Sequence, residues 1–164
     1  MSQNYFRMSE SNPYHISIGA VVRSAEGKIC AHYFTSIFDK HSGKTIEDLY
    51  LLMRETIEPN ESIEICLARG LMEEFGMEAR LVRYLGSIVS DLPLNGVIVE
   101  KTTLYFLCDL ISYDERRRSP EDLERNSTML WLAPEDLIRK MESQYERLPR
   151  KDANEAVIIK RMSQ

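Results

Sequence analysis

Two adjacent carboxylates, Glu73 and Glu74, lie on a segment whose apolar residues recur at helical spacing. Arg69 and Glu61 precede them on the same segment. Carboxylates repel a polyphosphate, but a divalent cation can bridge them, and Mg²⁺ typically takes one or two protein carboxylates together with phosphate oxygens. A bound cation also lowers the pKa of its water ligand and orients the displacement. These residue types therefore suit metal-assisted hydrolysis of a diphosphate.

The same residues have a plainer interpretation. Arg69 and Glu73 are four positions apart, so they could form a surface ion pair worth a few tenths of a kcal/mol. A Glu-Glu pair alone usually marks the solvated face of a helix. Only the complete spacing from Glu61 to Met77 favours a catalytic interpretation.

A helix must present these side chains. Ser62 is a candidate N-cap before the apolar run, and Gly76 lies where a left-handed residue would end the helix. The residues predicted to face the core are Ile63, Cys66, Leu67, Leu71 and Phe75.

This spacing resembles the signature of the Nudix hydrolases, the MutT-like family, G-x5-E-x7-R-E-U-x-E-E-x-G-U, where U is aliphatic. The positions in register are Glu61, Arg69, Leu71, Glu73, Glu74, Gly76 and Met77. Two positions depart from the signature: Glu55 replaces the opening glycine, and Gly70 replaces the glutamate after the arginine.

The resemblance implies an α/β fold, a Nudix-type α/β/α sandwich with a mixed β-sheet. It implies Mg²⁺ or Mn²⁺ as cofactor, with Glu73 and Glu74 as catalytic metal ligands. Glu61 and Arg69, the other two catalytic candidates, would brace the loop-helix geometry. The expected substrate is a small-molecule nucleoside diphosphate linked to another group, and many relatives pair as homodimers.

Gly70 leaves three outcomes open. It removes one metal ligand, which in parts of the family also acts as the base, and it costs about 1 kcal/mol relative to alanine in a helix. The metal site could persist with water or Glu55 in the place of the missing acid, or an acid of a late loop could fill that place. The late-loop candidates are Glu121, Asp122 and Glu124. Catalysis could instead be lost, leaving a module that binds a nucleotide or a protein partner.

Composition sets wider bounds. The 164 residues are 43% hydrophobic and 29% charged, which predicts one globular domain over residues 13–164 after a flexible tail at 1–12. A net charge of −5 argues against general nucleic-acid binding. No long apolar run or signal-peptide pattern is present, so we expect a cytoplasmic protein without membrane contact. Cys30, Cys66 and Cys108 lack zinc or disulfide spacing and are expected in the core.

Alternating apolar residues predict strands over 16–22, 28–34, 49–53, 79–89, 97–110 and 129–132. Asn95-Gly96 indicates a hairpin, and residues 38–48 suggest a polar loop. Pro134 should begin a helix, and a last helix is expected over residues 152–162. The buried positions predicted for these two helices are Leu137, Ile138, Met141 and Tyr145, then Ala153, Ala156, Val157 and Ile159.

Several polar and aromatic side chains are expected to have ordinary roles. His15, His32 and His41 suggest surface or edge positions. The run from Arg116 to Arg118 suggests a solvated loop, with a phosphate-contacting arm as the alternative. The strand aromatics are expected to pack rather than stack on a base: Tyr33, Phe34, Tyr84 and Trp131.

Overall fold

The computed structural model describes residues 3–40 and 42–164, with Asp122 described by its backbone only. Its strands are β1 (Tyr14–Arg23), β2 (Ile29–Asp39), β3 (Lys44–Leu51), β4 (Met53–Thr56), β5 (Met77–Leu94), β6 (Val97–Tyr113) and β7 (Thr128–Leu132). Its α-helices are α1 (Ile63–Gly70), α2 (Pro134–Arg147) and α3 (Ala156–Lys160). A π-helical turn, Leu71–Phe75, continues α1. Short 3₁₀ turns span Glu115–Arg117, Asp122–Asn126, Lys151–Ala153 and Arg161–Ser163.

Strand β1 lies at the centre of a mixed sheet. It runs parallel to β6, which forms a long antiparallel hairpin with β5. On its other edge β1 pairs with β2 only at Arg23, then separates from it and pairs with β4 over residues 17–20. Strand β2 lies between β3 and β7. The divergence of β1 from β2 leaves this edge of β1 to β4, whose residues follow β3 in the chain.

Helices cover both faces of this sheet, as the resemblance implies. One apolar cluster joins α1 and the π-helical turn to Ile18, Ala20 and Val22 of β1. A second cluster joins α2 and α3 to the opposite face, where Val21 and Tyr105 lie. The predicted α/β/α sandwich with a mixed sheet is therefore confirmed.

Local signals in the central segment determine its structure. The Ser62 hydroxyl accepts a hydrogen bond from the Ile65 amide at 3.2 Å, and Gly76 ends the segment at φ 64°. The predicted core positions Cys66, Leu67 and Leu71 are buried. The π-helical turn was not predicted, and its residues include the buried Glu74. Such turns are often found at functional sites.

The polar loop predicted for residues 38–48 is wrong. Strand β2 continues to Asp39 and β3 begins at Lys44, with Ile37 opposite Ile46, so this stretch is a hairpin arm. Apart from the buried Asp39, the described polar residues of this stretch are exposed, and they concealed the strand pattern. His41 lies outside the described residues.

Two predicted packing stripes need correction near the carboxyl end. Tyr145 is 36% exposed, whereas Gln144 is buried and bonded to backbone groups of Tyr50 and Ala153. Val157 is exposed and Ile158 is buried, because the predicted continuous helix is divided into α3 and two 3₁₀ turns. The Asn95-Gly96 hairpin is confirmed, with both residues at positive φ.

The first described residues contact the domain. Asn4 donates to the Ile57 carbonyl at 2.9 Å, and Phe6 packs against the cluster below α1. Flexibility of residues 1–12 and the boundary at residue 13 stay predictions.

The three cysteines are buried and free, as expected. Burial raises the pKa of the Cys66 and Cys108 thiols to about 12. None of the helices within the described ranges is long and apolar enough to cross a bilayer.

Candidate active site

A cleft of about 430 Å³ opens beside α1 and the π-helical turn. We call it the acidic cleft, and it is lined by Arg7, Arg54, Glu55, Thr56, Glu58, Arg69, Glu73, Glu74, Pro120, Glu121 and Glu124. Strand β4, the helical segment and the late loop each supply one part of its wall. Glu73, Glu74 and Arg69 of the signature therefore meet at one surface.

Arg69 and Glu61 form a paired contact at one end of the cleft. The guanidinium donates from Nε and Nη2 to the two carboxylate oxygens of Glu61, at 2.7 and 3.0 Å, and from Nη2 to the Thr56 carbonyl at 2.9 Å. The hydrogen bond from Arg69 is the main reason why the pKa of Glu61 is lowered. This fork ties the loop before α1 to the helix.

The third guanidinium nitrogen of Arg69, Nη1, lies near two further acids. Its Nη1 atom lies 3.1 Å from Glu55 Oε1 and 3.6 Å from Glu73 Oε2. The Glu73 side chain is 41% exposed, so it can reorient toward a ligand in the cleft. Burial raises the pKa of Glu55 despite the nearby guanidinium, and the charge of Glu73 adds to the rise.

Glu74 is buried, and its partner is His32. Oε2 of Glu74 lies 2.7 Å from His32 Nε2, and the imidazole is 1% exposed. The surface or edge role predicted for His32 is therefore wrong. Burial lowers the pKa of His32 to about 3, and the charges of Arg118 and Arg54 contribute, so the ring is neutral at pH 7.

A chain of hydrogen bonds determines where the protons lie. The Ser127 hydroxyl donates to the Glu124 carbonyl at 2.8 Å, so it accepts from Arg118 and from His32 Nδ1, which is 2.7 Å away. With Nδ1 protonated, the neutral ring accepts at Nε2, and Glu74 must donate the proton between them. Burial, followed by the charges of Glu124 and Glu55, accordingly raises the pKa of Glu74 well above its ordinary value.

Gly70 and Glu55, the two departures from the signature, are in contact. A Cβ atom built on Gly70 would lie 2.7 Å from Glu55 Cβ and 2.9 Å from Met53 Sδ. The backbone at Gly70 is ordinary helix, with φ −61° and ψ −42°, so close approach rather than backbone conformation requires a glycine here.

The arginine run divides into two kinds of side chain. Arg116 is 90% exposed, as a solvated loop predicts. Only 11% of the Arg118 side chain is exposed, and it donates to the Glu74 carbonyl at 2.6 Å and to the Ser127 hydroxyl at 3.0 Å. It therefore attaches the late loop to the π-helical turn and brings Glu121 and Glu124 to the acidic cleft.

A second cavity, of about 380 Å³, adjoins the acidic cleft and shares Arg54, Thr56 and Glu124 with it. We call it the adjacent recess. Its polar side combines Arg54, Lys101, Arg150 and Asp152, whereas its apolar side is lined by Ile37, Phe38, Ile46, Leu49, Leu51, Leu123, Leu148 and Ala153. Sequence reasoning missed Lys101, because a lysine on a strand gives no signal of a site.

Charge density in the recess changes the acidity of Lys101. The charge of Arg54 lowers the pKa of Lys101 to about 8, and burial contributes, while Asp152 opposes the change. Lys101 Nζ and Arg150 Nη2 lie 3.9 and 2.7 Å from Asp152 Oδ2. These cations give the recess a surface suited to an anionic or hydroxyl-rich group.

The residues of the cleft fit a divalent cation in kind. Carboxylate oxygens are the donors that Mg²⁺ prefers, and Glu73 and Glu74 line one wall. Across the described residues, no three His, Cys, Asp or Glu side chains are gathered closely enough to form a ready coordination sphere. Arg69 Nη1 lies between Glu55 and Glu73, so ligation would require these side chains to rotate.

Solved structures resemble this chain in fold. The solution structure of the E. coli ORF135 protein has a TM-score of 0.52 at 17% identity, covering 92% of this chain and 89% of that one. A MutT protein from Methanosarcina mazei Go1 has a TM-score of 0.52 at 19% identity, covering 86% of this chain and 96% of that one. A NUDIX hydrolase from Nitrosomonas europaea has a TM-score of 0.55 at 16% identity, covering 82% of this chain and 90% of that one.

Curated relatives match a shorter stretch. NAD-capped RNA hydrolases NudC of Mycobacterium tuberculosis and Mycobacterium bovis are 46% identical over 41 residues, which is 25% of this chain and 13% of those proteins. The match therefore covers only a small part of the relatives' length. The model of the NUDIX domain matches residues 13–151, so this chain belongs to the NUDIX domain family.

Proposed function

We propose that this protein hydrolyses a phosphoanhydride bond in a nucleoside diphosphate linked to another group, with Mg²⁺ or Mn²⁺ as cofactor. The observation that carries the proposal is the adjacency of two unlike cavities. The acidic cleft, suited to a cation, shares Arg54, Thr56 and Glu124 with a recess that has a cationic side and an apolar side. Such a pair fits a diphosphate and an attached nucleoside.

Glu73 and Glu74 would hold the cation, which would screen the diphosphate and lower the pKa of a bound water. His32 orients the Glu74 carboxyl through the hydrogen bond at its Nε2 atom. Arg69 positions the loop before α1 through Glu61. Glu121 and Glu124 are the candidate acceptors for the proton of the attacking water.

The recess would bind the other half of the substrate. Lys101 and Arg54 would contact phosphate or ribose oxygens, and Phe38, which is 60% exposed at the rim, offers a ring on which a base can stack. The name of the curated relatives adds NAD-type dinucleotides to the compounds worth testing. A cytoplasmic location and a homodimer stay predictions.

A hydrolysis assay tests the proposal. Nucleoside triphosphates, dinucleoside polyphosphates, nucleotide sugars, ADP-ribose and NAD would each be incubated with the protein and Mg²⁺ or Mn²⁺. We expect cleavage of at least one compound, reduced by about 10²-fold or more in Glu73→Gln. Glu64→Gln, an exposed residue of the same helix, is the matched control and should retain activity.

The competing function is a NUDIX module that binds a nucleotide without cleaving it. The position of Arg69 Nη1 between Glu55 and Glu73 favours this candidate, because a guanidinium can take the place of a cation. Tight binding of a compound from the panel without turnover under either metal would support the module and reject the hydrolase.

A further inference from the structure

The two departures from the family signature are an exchange between touching positions. The signature has glycine at position 55 and glutamate at position 70, whereas this chain has Glu55 and Gly70. The structure places these two residues in contact across the junction of β4 and α1. The segment thus has the same number of acids at these two positions as the signature, but the acid lies on the strand and not on the helix.

Steric contact makes the two positions mutually dependent. The Cβ that any other residue would carry at position 70 lies 2.7 Å from Glu55 Cβ and 3.2 Å from Glu55 Cγ. Real Cβ atoms essentially never approach another carbon to 2.7 Å. The Glu55 side chain therefore occupies the space in which a helix side chain at position 70 would begin.

Glu55 also lies at the acidic cleft, where the proposed cation would bind. Glu55 lines the acidic cleft with Glu73 and Glu74, and its side chain is 18% exposed. The Thr56 amide donates to Oε1 at 3.1 Å, which limits rotation of the carboxylate. An acid entering from the strand can therefore face the same cation as the two helix acids.

We propose that Glu55 supplies from β4 the metal-binding carboxylate that position 70 has lost, and that Gly70 is required to admit it. This inference rests on the proposed function, because it adds a third ligand to the site of Glu73 and Glu74. Arg69 Nη1, now 3.1 Å from Glu55, would be displaced by the cation. Arg69 would remain anchored by Glu61 and the Thr56 carbonyl.

The test measures Mn²⁺ binding directly, through the electron paramagnetic resonance signal of the free ion, and hydrolysis in parallel. We expect Glu55→Gln to weaken Mn²⁺ binding by about tenfold or more, since loss of even an outer partner of a ligand has this effect. Glu64→Gln, an exposed acid of α1 outside the lining of the cleft, is the matched control and should bind normally.

Reversal of the exchange gives the sharper result. Gly70→Glu alone should lower the unfolding temperature because of its overlap with Glu55. The double variant Glu55→Gly/Gly70→Glu removes the overlap with Glu55, and the flexible end of the Met53 side chain can move away from the new Cβ. Its unfolding temperature and Mn²⁺ affinity should therefore return to near the native values. Chemical denaturation of each variant would separate a folding defect from a binding defect.

The outcomes separate this inference from the proposed function. Weakened Mn²⁺ binding in folded Glu55→Gln, restored by the double variant, supports the inference even if no compound is cleaved. Native Mn²⁺ affinity in Glu55→Gln overturns it, even if the native protein proves to be a hydrolase. Absence of Mn²⁺ binding in the native protein also overturns it.

Discussion

His32 Nε2 lies 2.7 Å from Glu74 Oε2, and both side chains are almost completely removed from solvent. The neutral His32 ring donates from Nδ1 to the Ser127 hydroxyl and therefore accepts at Nε2. The proton between histidine and glutamate accordingly resides on the carboxyl group. The folded, metal-free protein therefore holds Glu74 as a neutral acid.

A pH dependence of stability follows. The raised pKa of Glu74 means that the folded state keeps a proton that the unfolded state loses above 4.5, the ordinary value. Its stabilising contribution is therefore complete below that value and is lost as pH rises through the raised pKa. We expect Glu74→Gln, whose amide can donate to His32, to be less pH-sensitive than the native protein above pH 4.5.

Urea denaturation in the presence of EDTA, repeated at several pH values, measures this difference. Ser143→Ala, which changes no ionisable group at an exposed position of α2, is the control, and its profile should run parallel to that of the native protein. Equal pH dependence in the native protein and Glu74→Gln would mean that the buried carboxyl is ionised and that the proton assignment is incorrect.

Arg118→Ala should destabilise the protein, whereas Arg116→Ala should not. Arg118 donates charged hydrogen bonds to the Glu74 carbonyl and to Ser127, and each such bond is worth about 1.5–3 kcal/mol. Arg116 is exposed and pairs with Asp114 at the surface, where solvent screens the ion pair and its contribution to stability is small. Chemical denaturation of the two variants measures the contrast, and similar losses for both would contradict the role assigned to Arg118.

Substrate binding should weaken above pH 8 if Lys101 contacts an anionic group. The Lys101 pKa of about 8 means that the ammonium group is lost well below the ordinary value of 10.5. Arg54 and Asp152, which lie around it, keep their charges over this range. The KM for a cleaved compound should therefore rise by up to about tenfold between pH 7 and pH 9, which corresponds to about 1.4 kcal/mol.

Lys101→Arg provides the control for this prediction. Its guanidinium stays charged at pH 9, so the rise in KM should disappear while kcat changes little. A rise that persists in Lys101→Arg would assign the pH effect to another group.

Gln144→Leu should cost about 3 kcal/mol or more of unfolding free energy. Gln144 accepts from the Tyr50 amide and donates to the carbonyls of Tyr50 and Ala153, and an unpaired buried group costs about 1–3 kcal/mol. Ser143→Ala, at an exposed position on the same helix, should change stability by less than about 0.5 kcal/mol. Thermal or urea unfolding of both variants compares their losses of unfolding free energy. A Gln144→Leu variant as stable as the native protein would contradict the prediction.

Features with a local cause could be predicted from the sequence. The Ser62 cap, the Gly76 terminus and the Asn95-Gly96 hairpin are determined by a few neighbouring residues. The signature spacing likewise indicated the sandwich fold and the surface that bears Glu73. The strands within residues 38–48 could not be predicted, because polar residues that face solvent weaken the apolar alternation typical of a strand.

Tertiary structure alone decided which distant residues meet. The contacts of Glu55 with Gly70, of His32 with Glu74 and of Arg118 with the Glu74 carbonyl join positions 15, 42 and 44 residues apart. Helical and strand periodicities determine the direction of a side chain within its own element, but not its partner across the fold. The sequence by itself thus determined the family and the helix that carries the acids. Packing of β4, β2 and the late loop against that helix decided that Glu55 joins the acids of the cleft and that His32 holds Glu74 as a neutral acid.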